Sequence, residues 1–254
     1  MIIDILTLFP EMFTGILNSS IIARAINSGN VKVNVHDFRT FSTKNNNRVD
    51  DYSYGGGAGM IIEVNPVVKC LRTIDGFETA KKLITVPTGT KYTQSKAVEL
   101  SNEEHIIIIC GHYEGIDHRI MNYVDEGISI GDYILTGGEI AALTIIDSVI
   151  RLIPDVLGNQ ESIEIESFDD GLLEYPQYTR PVEFEGYKVP DCLVNGNHEH
   201  IRRWRRFKSL EVTYNNRPDL LENVILNNED IYYLNMIKKG EGFTDEIFKI
   251  KKFI

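Results

Sequence analysis

Short β-branched runs alternate with stretches of helical period along the chain as far as Pro154. Ile2 to Leu8 reads as a strand. Pro10 opens a helix that carries Met12, Phe13, Ile16 and Leu17, continues to Ala25 and Ile26, and ends in the turn Gly29-Asn30. Val31, Val33 and Val35 alternate with Lys32 and Asn34, the period-two pattern of a strand. From Thr40 to Gly59 the chain is polar and glycine-rich with no apolar period, and loops of that length inside a compact domain are usually functional or disordered. Val64 to Ile74 follows as a helix with Pro66 in its first turn. Leu83 to Val86 is a strand closed by Pro87-Thr88-Gly89, and Thr93 to Leu100 a short helix. Ile106 to Cys110 is too short for a helix and reads as a buried strand. Asp117 to Asp125 reads as a helix, Ile128 to Leu135 contains the last strand, and Glu139 to Leu152 is a long apolar helix stopped by Pro154. Strands alternating with helices predict an α/β fold, its mostly parallel sheet covered by helices on both faces.

Beyond Pro154 the pattern changes. Asp155 to Asp191 is acidic and proline-bearing, with few periodic apolar positions, and reads as a linker or mobile segment. Asn197 to Leu210 is amphipathic, with Ile201, Trp204, Phe207 and Leu210 on one side. Leu220 to Ile225 and Ile231 to Ile237 suggest further helices. The expected organisation is an α/β domain at 1–154, a linker at 155–191 and a small all-α domain at 192–254.

Charge narrows the classes of partner. The 254 residues carry a net charge of -11, which argues against binding nucleic acid by bulk charge. A local patch would have to do it. The stretch Arg202-Arg203-Trp204-Arg205-Arg206-Phe207-Lys208 is the densest positive charge in an acidic chain and is interleaved with aromatics. That favours RNA phosphate contacts over a merely solvated helix face. Cys70, Cys110 and Cys192 are widely separated and show no metal-ligand spacing, so neither a disulfide framework nor a structural zinc is expected. The N-terminus lacks a basic n-region and a small-residue cleavage site, and no apolar run reaches bilayer length. The reading is a cytoplasmic protein with neither membrane nor DNA as partner.

Candidate chemistry concentrates between Ile106 and Arg151, where two short apolar runs each end in a glycine-bearing loop that opens into a helical pattern. Glycine lets backbone come close to a ligand, and ligands of open α/β sheets lie beyond the carboxyl ends of the strands. G-x-G-x-x-G is absent. The run Gly55-Gly56-Gly57-Ala58-Gly59 has no following lysine and Ser/Thr pair. Dinucleotide-dependent oxidoreductases and nucleoside triphosphatases are therefore disfavoured.

The strings themselves are more specific. GHYEGID, from Gly111, and SIGDYILTGGE, from Ser129, resemble the bacterial tRNA (guanine-N1)-methyltransferases, members of the SPOUT class. The likeness extends through LFPEMF at Leu8, Val49-Asp50-Asp51 with YGGGAGM, IDSVIRLIPDVLGN, SFDDGLLEYPQYTRP and GNHEHIRRWR, from Ile3 to about Asn223. The resemblance implies a deep trefoil knot in the sheet, a topology that general rules of chain connection would have excluded. It also implies a homodimer whose active sites are completed by the second subunit.

It further implies that S-adenosylmethionine is held by Gly111, Tyr113, Glu114, Gly115 and the run Ile130-Gly131-Asp132-Tyr133-Ile134-Leu135, with Thr85, Val86, Pro87 and Gly138 at its sides. Methylating guanine N1 requires a base to take its proton and a cation or N–H donor where charge develops on O6. By resemblance Arg151 serves O6, although a cation there also suits the helix C-terminus. The family places an aspartate before Ser-Phe as the base; here Glu166 precedes Ser167-Phe168, one methylene longer, with Asp169 as runner-up. Asp50, Gly59 and Ser167 fall beside the target guanine, and Arg202, Arg203 and Arg205 on tRNA. No metal is needed for the transfer itself, but Asp50 and Asp51 offer the carboxylate oxygens that Mg²⁺ prefers. Other readings are a SPOUT methyltransferase for a different RNA position and a non-catalytic RNA-binding module.

Overall fold

The structure, a computed structural model, describes residues 1–157, 167–168, 170–244 and 247. It comprises two compact units, Met1–Gly158 and Asn159–Ile254.

In the first unit the order is β1 (Ile2–Thr7), α1 (Glu11–Leu17), α2 (Ser20–Asn27), β2 (Lys32–Asp37), β3 (Asp50–Asp51), β4 (Ile61–Ile62) and α3 (Val64–Leu71). It continues with β5 (Lys81–Lys91), α4 (Gln94–Ser101), β6 (His105–Cys110), β7 (Glu126–Ser129) and α5 (Glu139–Ile150). Five strands form one parallel sheet in the order β2-β1-β6-β5-β7. Side chains alternate across it, as the pleat requires. Ile106, Ile108 and Cys110 join Ile3, Ile5 and the buried faces of α1, α2, α4 and α5. Ile107 and Ile109 point the other way, toward Leu6 and Val67, Cys70 and Leu71 of α3. A strand covered on both faces must be apolar throughout, which is why β6 reads as four consecutive isoleucines.

Several boundaries differ from the sequence reading. The single helix expected after Pro10 is two, because Asn18 Nδ2 and Ser19 Oγ donate back to the carbonyls of Thr14 (2.7 Å) and Gly15 (2.6 Å). Such local bonds compete with the helical ladder. Pro87-Thr88-Gly89 does not end β5. The register on β7 jumps between Thr85 and Thr90, both opposite Ile128, so residues 86–89 form a bulge and the strand resumes. The last strand stops at Ser129 instead of Leu135, leaving residues 130–138 as a loop. Asp117 to Asp125 is a 3₁₀ turn, His118–Tyr123, begun by the Asp117 carboxylate accepting from Arg119 N–H.

The second unit contains a small hairpin, β8 (Glu183–Phe184) with β9 (Tyr187–Lys188), then α6 (Asp191–Val194), α7 (His198–Asn216) and α8 (Asn228–Lys238). Asn197 caps α7 by accepting from the N–H groups of Glu199 and His200, and Asn227 with Asp230 forms a capping box on α8. The core is Phe207, Leu210, Tyr233, Leu234, Met236 and Leu172. Leu172, only 1% exposed, lies in the stretch read as a linker, and Tyr175 and Tyr178 of that stretch pack on Trp204. Part of the expected linker thus belongs to the folded unit. Its apolar residues were too few and too irregularly spaced to show a period.

One polar cluster lies across three adjacent strands, β2, β1 and β6. Asp4, 3% exposed, has His36 Nε2 at 2.5 Å, His105 Nε2 at 2.7 Å and Asn34 Nδ2 at 3.0 Å. Burial pushes the carboxyl up, but the hydrogen bonds from His36, His105 and Asn34 outweigh it and hold the group below its ordinary 3.8. A carboxyl whose pKa is lower folded than unfolded adds stability above about pH 4, and that stability is lost as pH falls through the folded value. Urea unfolding of Asp4→Asn beside the parent chain should therefore show a gap at neutral pH that narrows steadily below about pH 4. A gap of constant size from neutral to acid pH would mean that the ionised carboxylate contributes nothing.

Candidate active site

β6 ends at Cys110, β7 at Ser129, and the β5 bulge lies between them. A cavity of about 410 Å³ opens there, walled by residues 85–87, 111–116, 128–131 and 133–138 and by Ala141. The cofactor residues expected from the sequence all line it except Asp132. His112, Ile116, Ile128, Ser129, Thr136, Gly137 and Ala141 line it as well and were not singled out. Most of them sit inside the same two loop strings, and contiguity along a loop was the signal available.

The two loops are sewn together. Gly138 N–H donates to Gly111 C=O at 2.7 Å, and His112 bridges Gly137 in an antiparallel step. The Thr85 hydroxyl lies 3.3 Å from the carbonyls of both Ile109 and Gly138. A Cβ on Gly138 would fall 2.0 Å from Thr85 Oγ1, 2.9 Å from Gly111 N and 3.0 Å from Cys110 Cα. The φ of Gly138 is an ordinary −83°, so the demand is for space. At Gly131 a Cβ would meet the edge of the Tyr133 ring, at 2.4 Å, and that ring is largely exposed, but the φ of +157° is itself unfavourable for any side chain. Behind the seam Glu139 is buried and accepts from Thr7 Oγ1 at 2.9 Å. His112 Nδ1 is buried with no hydrogen-bond partner among the described residues, its ring between those of Phe9 (4.7 Å) and Tyr113 (5.0 Å).

The polar loop is attached to the same wall. Glu114 N–H donates to Met60 C=O, Ile62 N–H to Gly115 C=O and Asp117 N–H to Ile62 C=O. Gly59 abuts Glu114 so closely that a Cβ would reach Glu114 Cγ at 2.3 Å. Asp50 is largely covered and lies 3.4 Å from Arg48 Nη2. Lys44 Nζ sits between Asp51 (2.6 Å) and Glu63 (3.2 Å), and its bond draws the Asp51 carboxyl below the usual range. The Mg²⁺ expected at Asp50-Asp51 finds no support: an ammonium already neutralises this loop, and no metal-binding cluster occurs among the described residues.

Arg151 closes α5, its N–H donating to Asp147 C=O at 3.2 Å, and is not among the residues lining the cavity. In the second unit Ser167 Oγ accepts from Glu174 N–H at 2.9 Å. Glu166 and Asp169 lie outside the described residues.

The basic helix is unlike the sequence reading. Arg202 bonds both Glu199 and Glu229 at 2.9–3.1 Å, and these bonds raise its pKa further. Arg203 is 8% exposed, bonded to Glu199 (2.7 Å) and to the Ile247 carbonyl (3.0 Å). Arg206 is forked onto Asp230 at 2.7 and 2.9 Å and reaches Asp170 at 2.6 Å. Two of the three arginines assigned to RNA are thus engaged in holding the unit together. Arg205 instead lies over the ring of Tyr175, at 5.0 Å.

Together the parallel sheet and the glycine-walled crevice at its carboxyl ends define an α/β domain built to enclose a small molecule. Residues 1–223 match the family model described as tRNA (Guanine-1)-methyltransferase TrmD. Proteins named tRNA (guanine-N(1)-)-methyltransferase from Staphylococcus aureus strains JH9, MRSA252 and Newman are each 50% identical over 239 residues, covering 94% of this chain and 98% of theirs. The chain belongs to the TrmD family of tRNA (guanine-1)-methyltransferases.

Gly138→Ala should overpack the seam, costing about 1–3 kcal/mol of stability and lowering affinity for S-adenosylhomocysteine, whereas Gly131→Ala strains its own backbone and displaces one exposed ring without prising the two loops apart, and should lower that affinity less. Calorimetric titration of both variants checks the order, and equal affinities would show that the seam does not shape the cavity. Arg206→Ala strands Asp230, which is fully buried, so thermal unfolding should report a loss of about 3 kcal/mol in the second unit. A near-neutral change would mean that the capping-box bonds alone satisfy Asp230.

Proposed function

We propose that the chain transfers methyl from S-adenosylmethionine to N1 of the guanine immediately 3′ of the tRNA anticodon. The observation that carries this is the crevice built by GHYEGID and SIGDYILTGGE, whose Gly138 has no room for a side chain. The cavity also suits the cosubstrate. Its volume is within the usual range for ligand pockets, and Ile130, Ile134 and Leu135 offer apolar packing beside the backbone groups of residues 111–115. The bound sulfonium would supply the methyl group.

The rest falls to the chain's own residues. Glu166 takes the N1 proton, Arg151 balances charge developing on O6, and Asp50, Gly59 and Ser167 line the approach of the guanine. The deep knot implied by the family lies at the two cavity loops in this reading. Two-fold pairing brings Arg151 of one subunit to Glu166 of the other, in a cytoplasmic homodimer. Its support is that Arg151 is not among the residues lining the cavity of its own subunit.

Mass spectrometry of digested tRNA after incubation with the enzyme and S-adenosylmethionine tests the assignment: 1-methylguanosine should appear 3′ of the anticodon. Methylation elsewhere would indicate another SPOUT activity. Glu166→Gln should lower the single-turnover rate by about 10²–10⁴-fold, with Glu166→Asp retaining far more. A Gln variant as fast as the parent, beside an inactive Asp169→Asn, would move the base to Asp169.

A further inference from the structure

The second unit has a cavity of its own, about 350 Å³, between α7 and the segment around Leu173. Its walls are tied in place. Ser209 Oγ donates to Leu173 C=O at 2.5 Å, Thr213 Oγ1 accepts from Leu173 N–H at 2.9 Å, and Arg206 holds Asp170 at 2.6 Å. The lining includes Leu173 and Ile201 beside Tyr175, His198 and Arg205, together with Glu174, whose carboxylate accepts from Gln177 Nε2.

Charge balance singles out Arg205. Arg202 and Arg206 also border the cavity, but each is spent on two carboxylates. Arg205 has no carboxylate partner among the described residues, and it is exposed. Its guanidinium is placed over Tyr175, whose ring is itself braced against Trp204. A planar cation resting on a fixed aromatic ring, in a cavity also lined by an imidazole and by Leu173 and Ile201, offers a stacking plane and N–H donors together.

We propose that this cavity binds a single nucleotide, its base stacked on the Arg205–Tyr175 pair and its phosphate held by Arg205 and His198. The volume admits one nucleotide and no duplex. Unpaired bases stack on aromatic rings and arginine planes in just this way. A nucleotide of an RNA chain and a free mononucleotide share this chemistry, and assignment to RNA rests on the tRNA reading above.

The test uses the full chain with the first cavity saturated by S-adenosylhomocysteine, so that only the second is open. Guanosine and adenosine 5′-monophosphates are titrated by NMR, beside inorganic phosphate and the unphosphorylated nucleosides. Both monophosphates should bind. Arg205→Ala should weaken them about tenfold or more. Arg205→Lys, which keeps the charge and loses the plane, should recover only part. Tyr175→Leu is the matched loss of the ring, with circular dichroism confirming each fold. No binding at millimolar nucleotide, or binding indifferent to Arg205→Ala, overturns the proposal. So does inorganic phosphate competing as well as the nucleotides, since that describes an anion site without base stacking. A parallel loss of tRNA affinity in Arg205→Ala assigns the cavity to RNA; unchanged tRNA affinity assigns it to a free nucleotide. None of these readouts requires methyl transfer, so failure of the proposed reaction would be seen separately.

Discussion

The hydrogen bond from Gly138 N–H to Gly111 C=O fixes the distance between the two loops on which the cavity depends. One loop follows β6 and the other precedes α5, and at 2.7 Å their backbones are as close as backbones come. That closeness excludes a side chain at position 138, and it sets Thr85 Oγ1 within reach of Gly138 C=O. The β5 bulge supplies the third wall, so the crevice is framed by backbone, with Ile130, Ile134 and Leu135 of the 130–135 loop along its lining. A site framed this way depends little on rotamer choice.

The sheet was legible in the sequence because a doubly covered strand must be apolar throughout, and Ile106 to Cys110 meets that demand plainly. The cavity loops were legible for a different reason: the strings GHYEGID and SIGDYILTGGE resemble a known family, whereas their glycines alone fit ordinary strand-to-helix turns equally well. What could not be read was anything set by partners distant in the chain. Arg202 finds Glu229 and Arg206 finds Asp230 across more than twenty intervening residues, so a string of arginines looked free to bind phosphate. The break at Asn18 and Ser19 was present in the sequence as two helix-competing side chains, but the apolar period ran across them.

α7 therefore serves two purposes on one helix. Its apolar side, with Phe207 and Leu210, meets Tyr233 and Leu234 of α8, while Arg202 and Arg206 grip the first turn of the same helix through Glu229 and Asp230. The carboxylates at that helix start also suit its dipole. Arg205 is left as a cation over an aromatic ring, and the engagement of its neighbours elsewhere is what makes it distinctive.

Fastening a helix start with arginine forks has a consequence for solvent. Guanidinium chloride floods a protein with the very head group that Arg202 and Arg206 present, in a salt strong enough to screen what it does not replace. Urea carries no charge and leaves those forks alone, acting on apolar and peptide surface. The isoleucine-rich sheet is tied instead by a carboxylate, Asp4, held between His36 and His105. The second unit thus answers to whatever imitates its arginines, and the first to whatever dissolves hydrocarbon or protonates Asp4.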